Sequence, residues 1–220
     1  LSSSSSPVMI LSAENCWGLP SNQYNDYFEA KAIFVSNTLS TLRNCTGRDI
    51  EVVTWVRRPD QYLLSLFNQV VKHLPWSSEA FDISGAFQDF VDQHRHLARY
   101  DLHLEIWERE VGDSNLSVRE FSSTAMVDGD PLADFARATG LDLGDLPQPS
   151  ADRENSAWSV AALMVKLEVN RKIASRKLSH SARRLIEETL GPELYSWDPS
   201  NLGVQDNIER LQEDICLLYT

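Results

Sequence analysis

The sequence predicts an α/β protein with a mainly parallel sheet and a helix-rich C-terminal half, on three observations. Ile50, Val52, Val53, Trp55 and Val56 form a nearly continuous apolar run of β-branched and aromatic residues, as in a central strand covered on both faces. Two arginines and Pro59 then open a segment in which Leu63, Leu66, Phe67, Val70, Val71 and Leu74 recur at helical spacing. Beyond Pro75 most apolar positions keep that helical period, with a single alternating stretch among them.

Taken in order, residues 1–7 are a serine-rich run expected to be flexible, and residues 8–220 are long enough to bury one sizeable core as a single domain. Val8 to Leu11 predicts a short buried strand, with Ser12, Glu14 and Asn15 at its carboxyl end. Tyr27 to Leu42 predicts a helix, since Phe28, Ala32, Val35 and Leu39 keep a 3.6-residue rhythm. That strand, that helix and the Ile50 strand would form one right-handed βαβ unit. Pro59 suits a first helical position, and Asp60 suits the positive end of the helix dipole. Ser65 falls on the face opposite the apolar stripe, near Gln61 and Lys72.

Two helices follow, Ile83 to Leu97 on Ala86, Phe87, Phe90 and Val91, and Leu102 to Val111 on Leu104, Ile106 and Trp107, the second closed by Gly112. Leu116 to Phe121 alternates apolar with polar residues, as a half-exposed edge strand does. Asp130 as cap and Pro131 at the first position start another helix that Gly140 ends. Residues 141–153 read as a loop. A long helix from Asn155 to about Ser175 carries the stripe Trp158, Ala161, Ala162, Val165 and Val169, and Leu185 to Leu190 and Asp206 to Leu218 give a last pair.

The formal net charge of −12 is unevenly spread. Residues 1–75 carry six acidic and six basic residues, residues 76–220 carry 26 and 14, so the acidic excess lies outside the Arg57 region. Such acidity opposes binding to nucleic acid or anionic membranes, whose affinity comes largely from phosphate neutralisation. Cys16, Cys45 and Cys216 lie far apart, which predicts neither a disulfide framework nor a zinc site and favours a reducing, cytoplasmic compartment. No stretch of 18 apolar residues occurs that would span a membrane.

Ligands of open α/β sheets bind beyond the carboxyl ends of the strands, so Arg57 and Arg58 at a strand end before a helix are either an anion site or solvated turn residues. Glu14 is the candidate general base, or else a turn cap or a partner of an arginine. Between Lys166 and Arg184 seven basic residues face one acidic residue, Glu168. This run is either a solvated helix face or a holder of an anionic ligand. His94 and His96 stand two apart in a helical segment and do not face each other, which argues against shared metal ligation.

Arg57, Pro59 and Ser65, after a hydrophobic strand, resemble the 3'-phosphate-binding segment of sulfotransferases that use 3'-phosphoadenosine 5'-phosphosulfate: Arg-x-Pro, with a Ser eight residues after the Arg. The flanking order is similar to that of bacterial-type members. A strand ending in Ser12-x-Glu14 comes before. Leu104-Glu-Ile-Trp107, Leu116 to Phe121, Pro131 to Gly140 and Arg153 to Ser156 come after, so the likeness covers most of residues 7–175. The resemblance implies a P-loop-like three-layer fold, a nucleotide held by Arg57 and Ser65, Glu14 as base, a hydroxyl or amine acceptor on a carbohydrate or small molecule, and no metal. The family's Gly-rich loop with Lys and Ser/Thr occurs nowhere in these residues. In the family it precedes the Ser-x-Glu strand, which implies an N-terminally truncated domain. The alternative is a catalytically inactive remnant that binds nucleotide or a partner.

Overall fold

The computed structural model describes residues 8–11, 24–142, 157–172 and 176–190. In chain order its regular elements are α1 (Tyr24–Thr46), β1 (Val52–Val56), α2 (Pro59–His73), α3 (Ile83–His94), α4 (Tyr100–Val111), β2 (Leu116–Glu120), α5 (Pro131–Thr139), α6 (Val160–Lys172) and α7 (Arg176–Leu190). The protein is α/β and mostly helical. The chain divides into two compact units, Leu1–Arg57 with Arg99–Gly144, and Arg58–Ala98 with Asp145–Thr220.

In the first unit β1 and β2 pair in parallel, from Val52 opposite Leu116 to Val56 opposite Glu120. Alternation then sorts the side chains by face. Val52 and Leu116 pack against a core of Val35 and Leu39 from α1 and Ile106, Trp107 and Val111 from α4. On the opposite face Trp55 and Arg119 reach α5, where the Trp55 and Phe135 rings lie 6.0 Å apart. Helices therefore pack on both faces of the pair. Gly112 ends α4 at φ 83°, a conformation that favours glycine. Asp130 caps α5 by accepting from the Leu132 N–H at 2.9 Å, and Gly140 closes that helix in the left-handed region, both as the sequence predicts.

Two expectations for this unit are corrected. Val8 to Leu11 are exposed and belong to no strand, so among the described residues α1 is not the crossover of a βαβ unit that begins there. A four-residue apolar run needs a neighbouring ladder to become a strand, and among the described residues β1 is paired only with β2. For the same reason β1 is half-buried along its whole length and not fully covered.

In the second unit α2, α3, α6 and α7 surround one core built on Leu63, Phe67, Val71, Phe87, Phe90, Trp158, Leu163 and Leu167. Asp82 caps α3 by accepting from the Gly85 N–H at 2.7 Å. The predicted stripe of α2 is right at Leu63, Phe67 and Val71, but Asn68 and Lys72 are buried too. Asn68 explains why. Its amide donates to the Trp158 carbonyl and its oxygen accepts from the Trp158 N–H, both at 3.3 Å, so a polar residue of α2 holds the chain entering α6.

The stripe predicted for α6 is rotated. The helix buries Ala162, Leu163, Lys166, Leu167 and Asn170 and leaves Ala161 and Val165 exposed. Asn170 decides the rotation. Its amide donates to the carbonyls of Val71, Leu74 and Trp76 at 3.2, 3.0 and 2.7 Å, which supplies the acceptors left open where α2 ends.

Candidate functional site

The carboxyl end of the parallel pair lies in the first unit. Beyond the last ladder pair the Phe121 N–H donates to the Val56 carbonyl at 2.8 Å, which carries the register one residue further and sets Phe121 across from Arg57. The Arg57 guanidinium carbon stands 4.3 Å from the centre of the Phe121 ring. Arg57 is exposed and makes no ion pair among the described residues. The chain then turns: the Ser122 hydroxyl accepts from the Ala125 N–H at 3.2 Å, and Ser123 and Thr124 are exposed on the same turn.

Asp134 holds this strand end together. Its buried carboxylate accepts from Nε and Nη2 of Arg119, both at 2.6 Å, from the Trp55 indole N–H at 2.8 Å and from the Val127 N–H at 3.2 Å. One side chain of α5 thus ties β1, β2 and the turn after β2. The bidentate Arg119 contact, with the Trp55 and Val127 donors behind it, holds the Asp134 carboxyl well below the usual carboxylate range.

Arg58 belongs to the second unit and is committed. It donates to both oxygens of Asp60, at 3.2 and 2.8 Å. Pro59 is the first residue of α2, as predicted, and Ser65 is half-buried on that helix. Of the two arginines that the sequence places together, Arg57 alone presents its donors to solvent without a carboxylate partner among the described residues. Glu14, Ser12 and Asn15 lie outside the described residues.

The basic run from Lys166 to Arg184 divides: Lys172, Lys177 and Arg184 are exposed, as a solvated face predicts, whereas Lys166, Arg171 and Arg183 are drawn into the unit. Lys166 is fully buried and donates to Asn170 Oδ1 at 2.5 Å and to Ser179 Oγ at 2.7 Å. Burial first, and then the Arg183 charge, push its ammonium down to about 8. Arg171 donates to the Ser78 carbonyl at 2.7 Å and to the Ala80 carbonyl. Arg183 pairs with Glu187 and donates to His73 Nδ1, and Arg184 pairs with Glu188. Lys166, Arg171 and Arg183 thereby tie helices and loops of this unit together, whereas the Arg184 pair is an exposed one within α7. His94 is stacked on Phe90, with ring centres 4.1 Å apart.

Sequence reasoning missed Asp134 and Asn170, the contact of Phe121 with Arg57 and the burial of Lys166. A parallel register would have brought Phe121 to Arg57, but no local pattern gives a register between strands 60 residues apart in sequence. Together these features define a mostly helical α/β chain with an exposed arginine at the carboxyl end of a parallel strand pair. The chain matches no protein-family model, no curated protein and no solved structure. No helix among the described residues is long and apolar enough to cross a membrane.

Proposed function

We propose that the protein binds the 3'-phosphate of an adenosine nucleotide through Arg57 and Ser65 and belongs to sulfuryl transfer from 3'-phosphoadenosine 5'-phosphosulfate to a hydroxyl or amine. The observation that carries this reading is Arg57, exposed and, among the described residues, free of a carboxylate at the end of β1, one residue before the arginine that is spent on Asp60. A guanidinium presents five N–H donors in a fork that matches phosphate oxygens. Pro59 opening α2 and Ser65 on that helix keep the Arg-x-Pro and Ser spacing of the sulfotransferase segment. A P-loop-like three-layer scaffold and a cytoplasmic location belong to the same proposal.

In the reaction the acceptor oxygen or nitrogen forms a bond to sulfur as the bond from sulfur to the 5'-phosphate oxygen breaks, which releases adenosine 3',5'-bisphosphate. The acceptor's proton passes to a base, for which Glu14 is the proposal. Positioning and charge stabilisation dominate such transfers. The acceptor is a carbohydrate or other small molecule, and the scheme uses no metal.

Calorimetry with adenosine 3',5'-bisphosphate tests the binding. Arg57→Ala is expected to weaken it about 10- to 100-fold, the size of one or two hydrogen bonds to a charged group. Equal affinity in the two proteins would sink the assignment. Glu14→Gln is expected to lower turnover far more than affinity. A second reading, a nucleotide-binding module without turnover, is favoured by the absence of a Gly-rich Lys-Ser/Thr loop from these 220 residues. Tight binding without detectable transfer from the labelled donor would select it.

A further inference from the structure

We propose that Phe121 is a positioning residue for Arg57, holding the guanidinium at the strand end by its ring face so that the N–H donors stay open for an anionic ligand. The inference deepens the reading of Arg57 as an anion anchor and rests on it.

The placement follows from the sheet. Val56 and Glu120 are the last residues in register, and the Phe121 N–H still reaches the Val56 carbonyl, so Arg57 and Phe121 are the next opposed pair. Opposed residues of neighbouring strands are the ones whose side chains interact. The guanidinium carbon lies 4.3 Å from the ring centre, well inside the distance at which a cation and a ring face attract. Phe121 is itself anchored by that backbone hydrogen bond and by the Ser122 turn directly after it.

What the ring does differs from what a carboxylate does. Arg58 on Asp60, Arg99 on Asp101 and Arg119 on Asp134 are all held by carboxylate oxygens, which occupy the N–H fork and neutralise its charge. An arginine held that way has little left for a phosphate. An aromatic face attracts the cation through its quadrupole and accepts no fork hydrogen bond from it. The side chain is therefore restrained in advance of binding while its charge and its bidentate edge are kept. Restraining a long side chain before the ligand arrives lowers the ordering cost that binding otherwise carries.

The experiment measures affinity for adenosine 3',5'-bisphosphate by calorimetry in the full chain, for the wild type, Arg57→Ala, Phe121→Leu, Phe121→Tyr and the Arg57→Ala/Phe121→Leu pair. The Arg57 Nε–H resonance is followed by NMR without ligand. Phe121→Leu is expected to weaken binding on the order of fivefold, the exposed cation–π range, and Phe121→Tyr to retain it. In the Arg57→Ala background Phe121→Leu should change nothing further. The ring-current shift of Arg57 Nε–H should be present in the wild type and in Phe121→Tyr and lost in Phe121→Leu. This resonance reports the contact even if Phe121→Leu proves too unstable for calorimetry. If Arg57→Ala loses affinity while Phe121→Leu binds as the wild type does, or if the wild-type resonance lacks the shift, the positioning role is overturned and the anion anchor stands. If the wild type does not bind the nucleotide, or binds it equally without Arg57, the anchor fails and the positioning role falls with it.

Discussion

Phe67→Ala is expected to destabilise the protein by about 3–5 kcal/mol, measured as the loss of unfolding free energy in urea. Phe67 is fully buried near the middle of α2, and three rings meet it edge-on: Trp76 at 5.8 Å, Phe87 at 5.4 Å and Phe90 at 5.4 Å between centres. Truncation removes the transfer free energy of the ring and leaves a void between α2 and α3 that stiff aromatic neighbours cannot close. The edge-to-face pairs add to the loss. Phe67→Leu keeps much of the volume but none of the ring pairs, and its cost should fall between that of Ala and zero. A loss below about 1 kcal/mol for Ala would mean that this cluster is not the core of its unit.

The same helix shows where the sequence stops being readable. Leu63, Phe67 and Val71 are legible because apolar residues four apart on a helix share a face, and nothing beyond α2 is needed to see it. Asn68 and Lys72 look like solvent-facing residues by the same rule. Asn68 is buried because Trp158, 90 residues further on, brings backbone groups that its amide satisfies, and the Lys72 ammonium lies 5.6 Å from the centre of the Trp158 ring. The rotation of α6 has the same origin. Composition favours Ala161, Val165 and Val169 as the inner face, but the carbonyls at the end of α2 need donors, and Asn170 supplies them from the face that also carries Lys166. Helix existence and caps were local facts and could be read, Asp130 and Gly140 among them. Which face turns inward was decided by hydrogen-bond demand from a distant segment.

The candidate site divides along the same line. Arg57 at a strand end and Pro59 at a helix start follow from local pattern. That Arg58 is spent on Asp60 is a contact between residues two apart at the start of α2, whereas the stacking of Arg57 on Phe121 depends on a register that only the folded strand pair provides.

Lys166 sets the second large effect, and its sign is fixed by where its proton is held. In the folded chain burial and Arg183 bring its pKa down to about 8, from the ordinary lysine value of 10.5 that the unfolded chain keeps. Between those two values the unfolded state binds more protons, so rising pH favours folding, and the thermal midpoint should gain a contribution from Lys166 across that window. Lys72, buried on α2 and lowered first by burial and then by Arg183, acts in the same direction. The comparison that isolates Lys166 is therefore wild type against Lys166→Met at each pH. Methionine fills the same space without an ammonium, and Asn170 Oδ1 still accepts from Ser179 Oγ at 3.3 Å, so no buried acceptor is stranded. Near pH 7 the variant should be at least as stable as the wild type, because a buried charge with neutral partners costs more desolvation than those partners return. That advantage should shrink by on the order of a few degrees between pH 8 and 10.5 as the wild-type ammonium loses its proton. A difference between the two proteins that stays constant from pH 7 to 10.5 would show that Lys166 ionises alike in both states, and that its burial between α6 and α7 carries no such penalty.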